Sequence, residues 1–289
     1  MDHATAYLMI LPALAFLTMF VFVPLVMAVQ KSFSDWNFYS ASVFVGLRNF
    51  SLVLRNELFL TSLVNGFKFV GIIVPSQLVL SFLFAHVLKG TRGTLSSVVK
   101  TAIYVPAVIS GIIASVIFLF LLNYRAGLVN QALSWFGIDR VAFLTIPSLA
   151  VLSVSIASLW LGFGYASLVM YAGLLGIPQE YYEAAEVDGA GAFARLARIT
   201  IPSMRNIFIL LCITMVTGTL QIFDIPFLMT GGGPVTKTLS PIMFLYNAFR
   251  SLDKTMGYTI AGALLMMVAI TIVNSLVFTV IRSQKAQDA

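Results

Sequence analysis

Three carboxylates, Glu180, Glu183 and Glu186, recur every third residue in the polar stretch GIPQEYYEAAEVDGAGAFARLARITIP, which runs from Gly176 to Pro202. Carboxylates spaced this way lie along one side of a short helix and accept charge-assisted hydrogen bonds from a partner's cations. Pro178 suits the first helical position, and Glu180 and Glu183 then fall where the helix dipole favours negative charge. Ala184 and Ala185 keep the neighbouring surface small enough for close approach. Gly189, Ala190 and Gly191 break this helix, and Phe193, Arg195, Leu196 and Arg198 begin a second, amphipathic one that Pro202 is expected to end. A docking knob for a soluble partner and an interfacial loop with no partner both fit this pattern.

Other chemistry is sparse. The single cysteine, Cys212, excludes a disulfide framework and a cysteine metal site, and reads as a packing residue. His3 and His86 stand alone near segment ends. Lys68 is placed at the edge of an apolar window, where its ammonium reaches the interface, and Asp224 closes another window. No glycine-rich loop followed by Gly-Lys-Ser/Thr occurs, so this chain does not bind ATP through a P-loop.

The elements that must position these residues are membrane helices. Of 289 residues, 60% are hydrophobic and only 10% charged, and the mean hydropathy is +0.98. A soluble domain carries about a quarter charged residues. The net charge of +6 comes from scattered basic residues, which argues against nucleic-acid binding. About 20 apolar residues cross the hydrocarbon core as a helix. Uncharged windows of that size give six spans at 5–29, 67–88, 101–123, 148–175, 205–226 and 257–281, with the polar loop at 176–203. The first window lacks a basic leader and is too long for a cleaved signal, so it is expected to be permanent. No ten-residue alternation suggests a barrel, and no internal repeat is evident. Basic residues divide evenly between the two faces. The short loop Lys89–Lys100, with Lys89, Arg92 and Lys100 beside two helix ends, tips the orientation toward both termini inside.

The spacing Glu183-Ala184-Ala185, three residues, Gly189, nine residues, then Ile199-Thr200-Ile201-Pro202 resembles the EAA loop of ATP-binding-cassette (ABC) importer permeases. Ile201 stands where the family pattern usually has Leu. A second stretch, Asp224 to Pro234 with Thr230-Gly231-Gly232-Gly233-Pro234 at its end, is similar to the TGGGP segment of the first permease subunit of the carbohydrate group, which includes maltose-type and glycerol-3-phosphate-type importers. Trp160-Leu161-Gly162 and Met256-Gly257-Tyr258 are also similar. The likeness covers nearly the whole chain; the extra N-terminal helices and large external domain of some maltose-type members have no counterpart in it.

The resemblance implies an all-α polytopic membrane protein with the type I importer permease fold and a cytoplasmic coupling-helix loop. Glu183, Ala184, Ala185 and Gly189 would seat in an ATPase subunit and transmit its closure. The solute site would comprise Ser158, Leu161, Gly162 and Tyr165 on the fourth span, with Met215, Gly218 and Thr219 on the fifth. The first four share one helical face; Tyr165 offers a ring to stack on a sugar and a hydroxyl to bond it, and Gly162 and Gly218 leave room. Ordinary small-residue packing in a membrane produces the same pattern. Gly231, Gly232, Gly233 and Pro234 would press against a docked binding protein; a plain flexible turn fits them equally.

Partners implied are a second homologous permease, two ABC ATPases carrying the ATP and Mg, and an extracytoplasmic solute-binding protein, all at a bacterial cytoplasmic membrane. This chain would hold no cofactor, bind no nucleic acid and catalyse no covalent chemistry. The expected cargo is a sugar or similar polyol. The alternatives are glycerol-3-phosphate or another polyol phosphate, and an ion-coupled carrier acting alone, which requires a carboxylate buried in the spans.

Overall fold

The computed structural model describes residues 3–37, 39, 41–91, 93–251 and 255–283, so Arg92 of the basic loop lies outside the described residues. Helix dominates because a chain this apolar, placed in lipid, has no partner for its backbone N–H and C=O groups except its own helices. Four helices are long and apolar enough to cross a membrane, Tyr7–Ser32, Glu57–Lys89, Pro147–Leu175 and Met256–Val280; counting each of two bent pairs once gives up to six.

The chain divides into two compact units. The first comprises Met1–Leu60 and Phe244–Ala269. It begins with α1 (His3–Leu17), which passes through a π-helical turn at Thr18–Phe22 into α2 (Val23–Ser32). A two-residue antiparallel ladder joins β1 (Ser34–Asp35) to β2 (Val43–Phe44), and α3 (Arg48–Leu54) follows. Buried Asn49 ties this corner, donating to the Ser32 and Ser34 carbonyls at 2.8 and 2.9 Å.

The second unit comprises Thr61–Met243 and Ile270–Ala289. Its helices are α4 (Glu57–Lys89, which starts in the first unit), α5 (Gly93–Val108), α6 (Gly111–Leu121), α7 (Leu128–Trp135) and α8 (Pro147–Leu175). After them come α9 (Gln179–Val187), α10 (Ala192–Arg195), α11 (Ile201–Ser203), α12 (Arg205–Leu220) and α13 (Asp224–Thr230), and then α14 (Pro241–Arg250), which starts in this unit and continues in the first. The last helix, α15 (Met256–Ser283), runs through both units. One apolar cluster packs Phe82 and Ala85 of α4 against Met170 and Leu174 of α8 and Leu211 of α12. A second joins Phe69 and Ile73 of α4 to Val154 and Ala157 of α8 and to Ile225 and Met229 of α13. Between α6 and α8 the loop is pinned by Asn130, whose side chain exchanges hydrogen bonds with Val141, accepting from its N–H at 2.8 Å and donating to its carbonyl at 3.0 Å.

Four sequence expectations are revised. The second span begins at Glu57, so Lys68 sits eleven residues inside α4 rather than at its edge, on an exposed position. The third window is broken at Ile109–Ser110, and α5 and α6 meet at 99°. Ser110 adopts an extended conformation and its hydroxyl accepts from the Ile113 N–H at 3.3 Å, capping a new helix. Pro202 does not end the second loop helix. Leu196–Thr200 forms a π-helical turn, with the Ile201 N–H reaching back to the Leu196 carbonyl, and the helix breaks after Ser203, bending 62° into α12. The same wide turn precedes Pro24, where Val23 bonds the Thr18 carbonyl. A proline ring collides with the carbonyl four residues back; a widened turn moves that carbonyl away. Finally, the fifth window stops at Leu220, and Asp224 opens α13 instead of closing a span.

Candidate functional site

A polar group deep in an apolar bundle needs a wall to hold it and space to face. Three helices of the second unit supply both. Ser158, Leu161, Gly162 and Tyr165 of α8, and Met215, Gly218 and Thr219 of α12, all line one cavity of about 330 Å³. Its remaining lining is Ile73 and Gln77 of α4, Thr214 of α12, and Ile222 and Ile225. Every lining side chain is uncharged. Leu161 lies fourteen residues from either end of α8, which at about 1.5 Å per residue is the middle of a membrane-crossing helix.

The hydroxyls of this lining are not equivalent. Ser158 Oγ donates to the Val154 carbonyl at 2.7 Å and Thr214 Oγ1 to the Leu210 carbonyl at 2.9 Å, so each presents acceptor lone pairs to the cavity. Tyr165 is 48% exposed. The α4 wall was missed by sequence reasoning, although Gln77 is the one carboxamide in the uncharged stretch 69–88.

At one end of the same unit, α9 is a short exposed helix. Glu180, Glu183, Ala184 and Glu186 are exposed, while Ala185 and Tyr182 turn partly inward. The helix ends as a Schellman motif: the Ala190 N–H donates to the Ala185 carbonyl at 2.8 Å and the Gly189 N–H to the Glu186 carbonyl at 3.0 Å. Gly189 takes φ = +76° there, in the left-handed region. Glu186 pairs with Arg195 at 3.0 Å across the break. Two apolar side chains flank the motif in full view, Val187 at 89% and Phe193 at 82% exposure. Tyr182, unremarked in the sequence, is held from two sides: its hydroxyl lies 2.9 Å from Thr200 Oγ1, and Lys89 Nζ sits 4.7 Å from its ring centre.

Gly231, Gly232, Gly233 and Pro234 form a tied turn, not a loose one. Gly231 ends α13 at φ = +60°, Gly232 follows at +86°, and the Thr238 hydroxyl donates to the Gly233 carbonyl at 2.7 Å. From α4, buried Asn65 donates to the Thr236 and Leu239 carbonyls at 2.7 and 3.1 Å. The tip, Val235 to Lys237, is exposed. Asp224 packs at the head of α13 beside Gly111, where a Cβ would meet its carboxylate at 3.0 Å; it is not among the cavity residues.

Residues 58–285 match the family described as "Binding-protein-dependent transport system inner membrane component". The chain is 35% identical over 260 residues to the trehalose/maltose transport system permease protein MalF of Thermococcus litoralis, covering 88% of this chain and 86% of that protein. It is 32% identical over 274 residues to the probable ABC transporter permease protein YurN of Bacillus subtilis, covering 93% of each. Among solved structures, a chain of a bacterial ABC transporter involved in the import of the acidic polysaccharide alginate superposes with a TM-score of 0.80 at 23% identity, covering 96% of this chain and 95% of that one. That likeness is one of fold.

Proposed function

Since the chain belongs to the family of binding-protein-dependent transport system inner membrane components, we propose that it is the permease subunit through which a neutral sugar or polyol crosses a bacterial cytoplasmic membrane. The observation that carries this reading is the cavity: eight residues from two helices converge, with an amide from a third, on an uncharged pocket halfway along α8. Hydroxyl-rich solutes are recognised by neutral donors and acceptors set among apolar and aromatic surface. A polyol phosphate would need a cation, and the lining offers none. The trehalose/maltose permease among its relatives accords with a sugar.

In this reading an extracytoplasmic binding protein delivers solute over the turn Gly231–Pro234, and both termini face the cytoplasm. A second homologous permease completes the pathway. Two partner ATPases carry ATP and Mg, and their closure pushes on Glu183, Ala184, Ala185 and Gly189. The Tyr182–Thr200 contact passes that motion to α12, so the cavity opens alternately outward and inward. A contact that differs between the two states is what drives such a switch.

Extraction in mild detergent, followed by mass spectrometry and reconstitution with the co-purified binding protein, tests the proposal. Recovery of a second permease and an ABC ATPase is expected, with ATP-driven uptake of labelled trehalose or maltose and none of glycerol-3-phosphate. Repeated recovery of this chain alone, from membranes whose other complexes survive, would overturn it.

A further inference from the structure

Gln77 is only 6% exposed, and its carboxamide bonds to no protein atom among the described residues. The surface it keeps belongs to the cavity it lines. With so little surface left the amide is largely desolvated, and a polar group so placed gains by bonding whatever occupies the cavity. Its position is also enforced. Across the cavity wall, Gly162 has no side chain, and a Cβ built there would run into Gln77 Nε2; the bare backbone of α8 is what lets the amide lie where it does.

We propose that Gln77 is a specificity-determining residue of the transport pathway, its carboxamide contacting the hydroxyls of a neutral sugar; this rests on the solute-cavity reading above. The amide brings two N–H donors and a carbonyl acceptor. Ser158 and Thr214 spend their protons within their own helices, so donors to the solute come from other side chains, and Gln77 supplies the pair of N–H groups. Two adjacent sugar hydroxyls, one accepting and one donating, match a carboxamide edge. A site built to bond a hydroxyl discriminates against an analogue lacking it, because its own polar group is then left unpaired.

The test uses the complete importer, with its partner permease, ATPases and binding protein, in liposomes. Uptake is measured for labelled trehalose, maltose and their monodeoxy analogues. Wild type is expected to prefer a parent sugar over at least one monodeoxy analogue. In Gln77→Leu, sugar moved per ATP hydrolysed falls by about tenfold, the scale of one lost hydrogen bond, and that preference disappears. Gly162→Ala, which displaces the amide, shifts the ratio in the same direction. Gln77→Met, close in length and unbranched, serves if Gln77→Leu fails to assemble. An unchanged parent-to-deoxy ratio in an assembled Gln77 variant overturns the role of Gln77 and leaves the sugar reading intact. Wild type that hydrolyses ATP in response to its binding protein yet moves neither sugar overturns both.

Discussion

Tyr182 Oη and Thr200 Oγ1 lie 2.9 Å apart, joining the middle of an exposed helix to a residue that is only 2% exposed. Thr200 closes the π-helical turn from which the chain bends into α12, and α12 forms one wall of the cavity. The carboxylates of α9 project outward while Tyr182 turns in. A force applied to the outer face of α9 therefore reaches the bundle through this side chain, with Lys89 bracing the ring from α4.

Tyr182→Phe keeps the ring under Lys89 and deletes the hydroxyl contact. A single hydrogen bond contributes about 0.5–1.5 kcal/mol, enough to loosen α9 without unfolding it. Solute moved per ATP is expected to fall severalfold in reconstituted importer, and Thr200→Val to fall by a similar factor. Because the two groups share one contact, the double variant should be no worse than either single one. Fully additive losses in that cycle would show that the pair does not act as a unit.

Gly189 occupies the left-handed region at φ = +76°, and a Cβ there meets open space. Substitution is thus a matter of backbone strain, about 1–2 kcal/mol for an ordinary L-residue. Gly189→Val is expected to insert normally yet lose the Ala190–Ala185 bond that ends α9, reducing co-purified ATPase subunit and uptake together. Gly189→Asn, which tolerates this conformation, should keep most of both. Equal behaviour of the two variants would remove the conformational explanation.

The existence of the helices was legible in the sequence because charge is excluded from long windows, and charge is what marks a span's edge. The same criterion hid every break inside an uncharged window. Ile109-Ser110-Gly111 carries a cap and a glycine but no charge, and Lys68 was mistaken for an edge because α4 tolerates one exposed cation mid-helix. Both walls of the cavity on α8 and α12 were reached through spacing and resemblance. The α4 wall was not, since Gln77 acquires its meaning from Gly162, 85 residues later. Asn65 likewise bonds carbonyls 171 and 174 residues away, a pairing no local pattern encodes.

Asn65 is 2% exposed, and both its N–H groups are committed to the turn after Pro234. Asn65→Ala would leave two carbonyls without donors at about 1–3 kcal/mol each where buried. Melting in detergent should drop by several degrees, and stimulation of ATP hydrolysis by the binding protein should fall further than stability alone explains, because the exposed tip Val235–Lys237 loses its anchor. Asn65→Asp replaces the amide donors with oxygen and is expected to be at least as damaging. Full stimulation in Asn65→Ala would disconnect this turn from the binding protein.

Two glycines, Gly164 on α8 and Gly218 on α12, separate helix packing from cavity space. A Cβ at Gly164 would collide with the Ile103 carbonyl, where α5 crosses α8. Backbone on both sides leaves nothing flexible to yield, and overpacking of this kind costs about 1–3 kcal/mol. Gly218 lines the cavity, and its Cβ would meet nothing within 4 Å. Gly164→Ala should lower the amount of assembled, monodisperse protein recovered by size-exclusion chromatography. Gly218→Ala should be recovered like wild type, yet with uptake of the larger solutes reduced more than that of smaller ones, since the added methyl occupies solute space alone. Loss of assembly in Gly218→Ala, or normal assembly of Gly164→Ala, would invert the assignment of which glycine serves the helix contact and which serves the cavity.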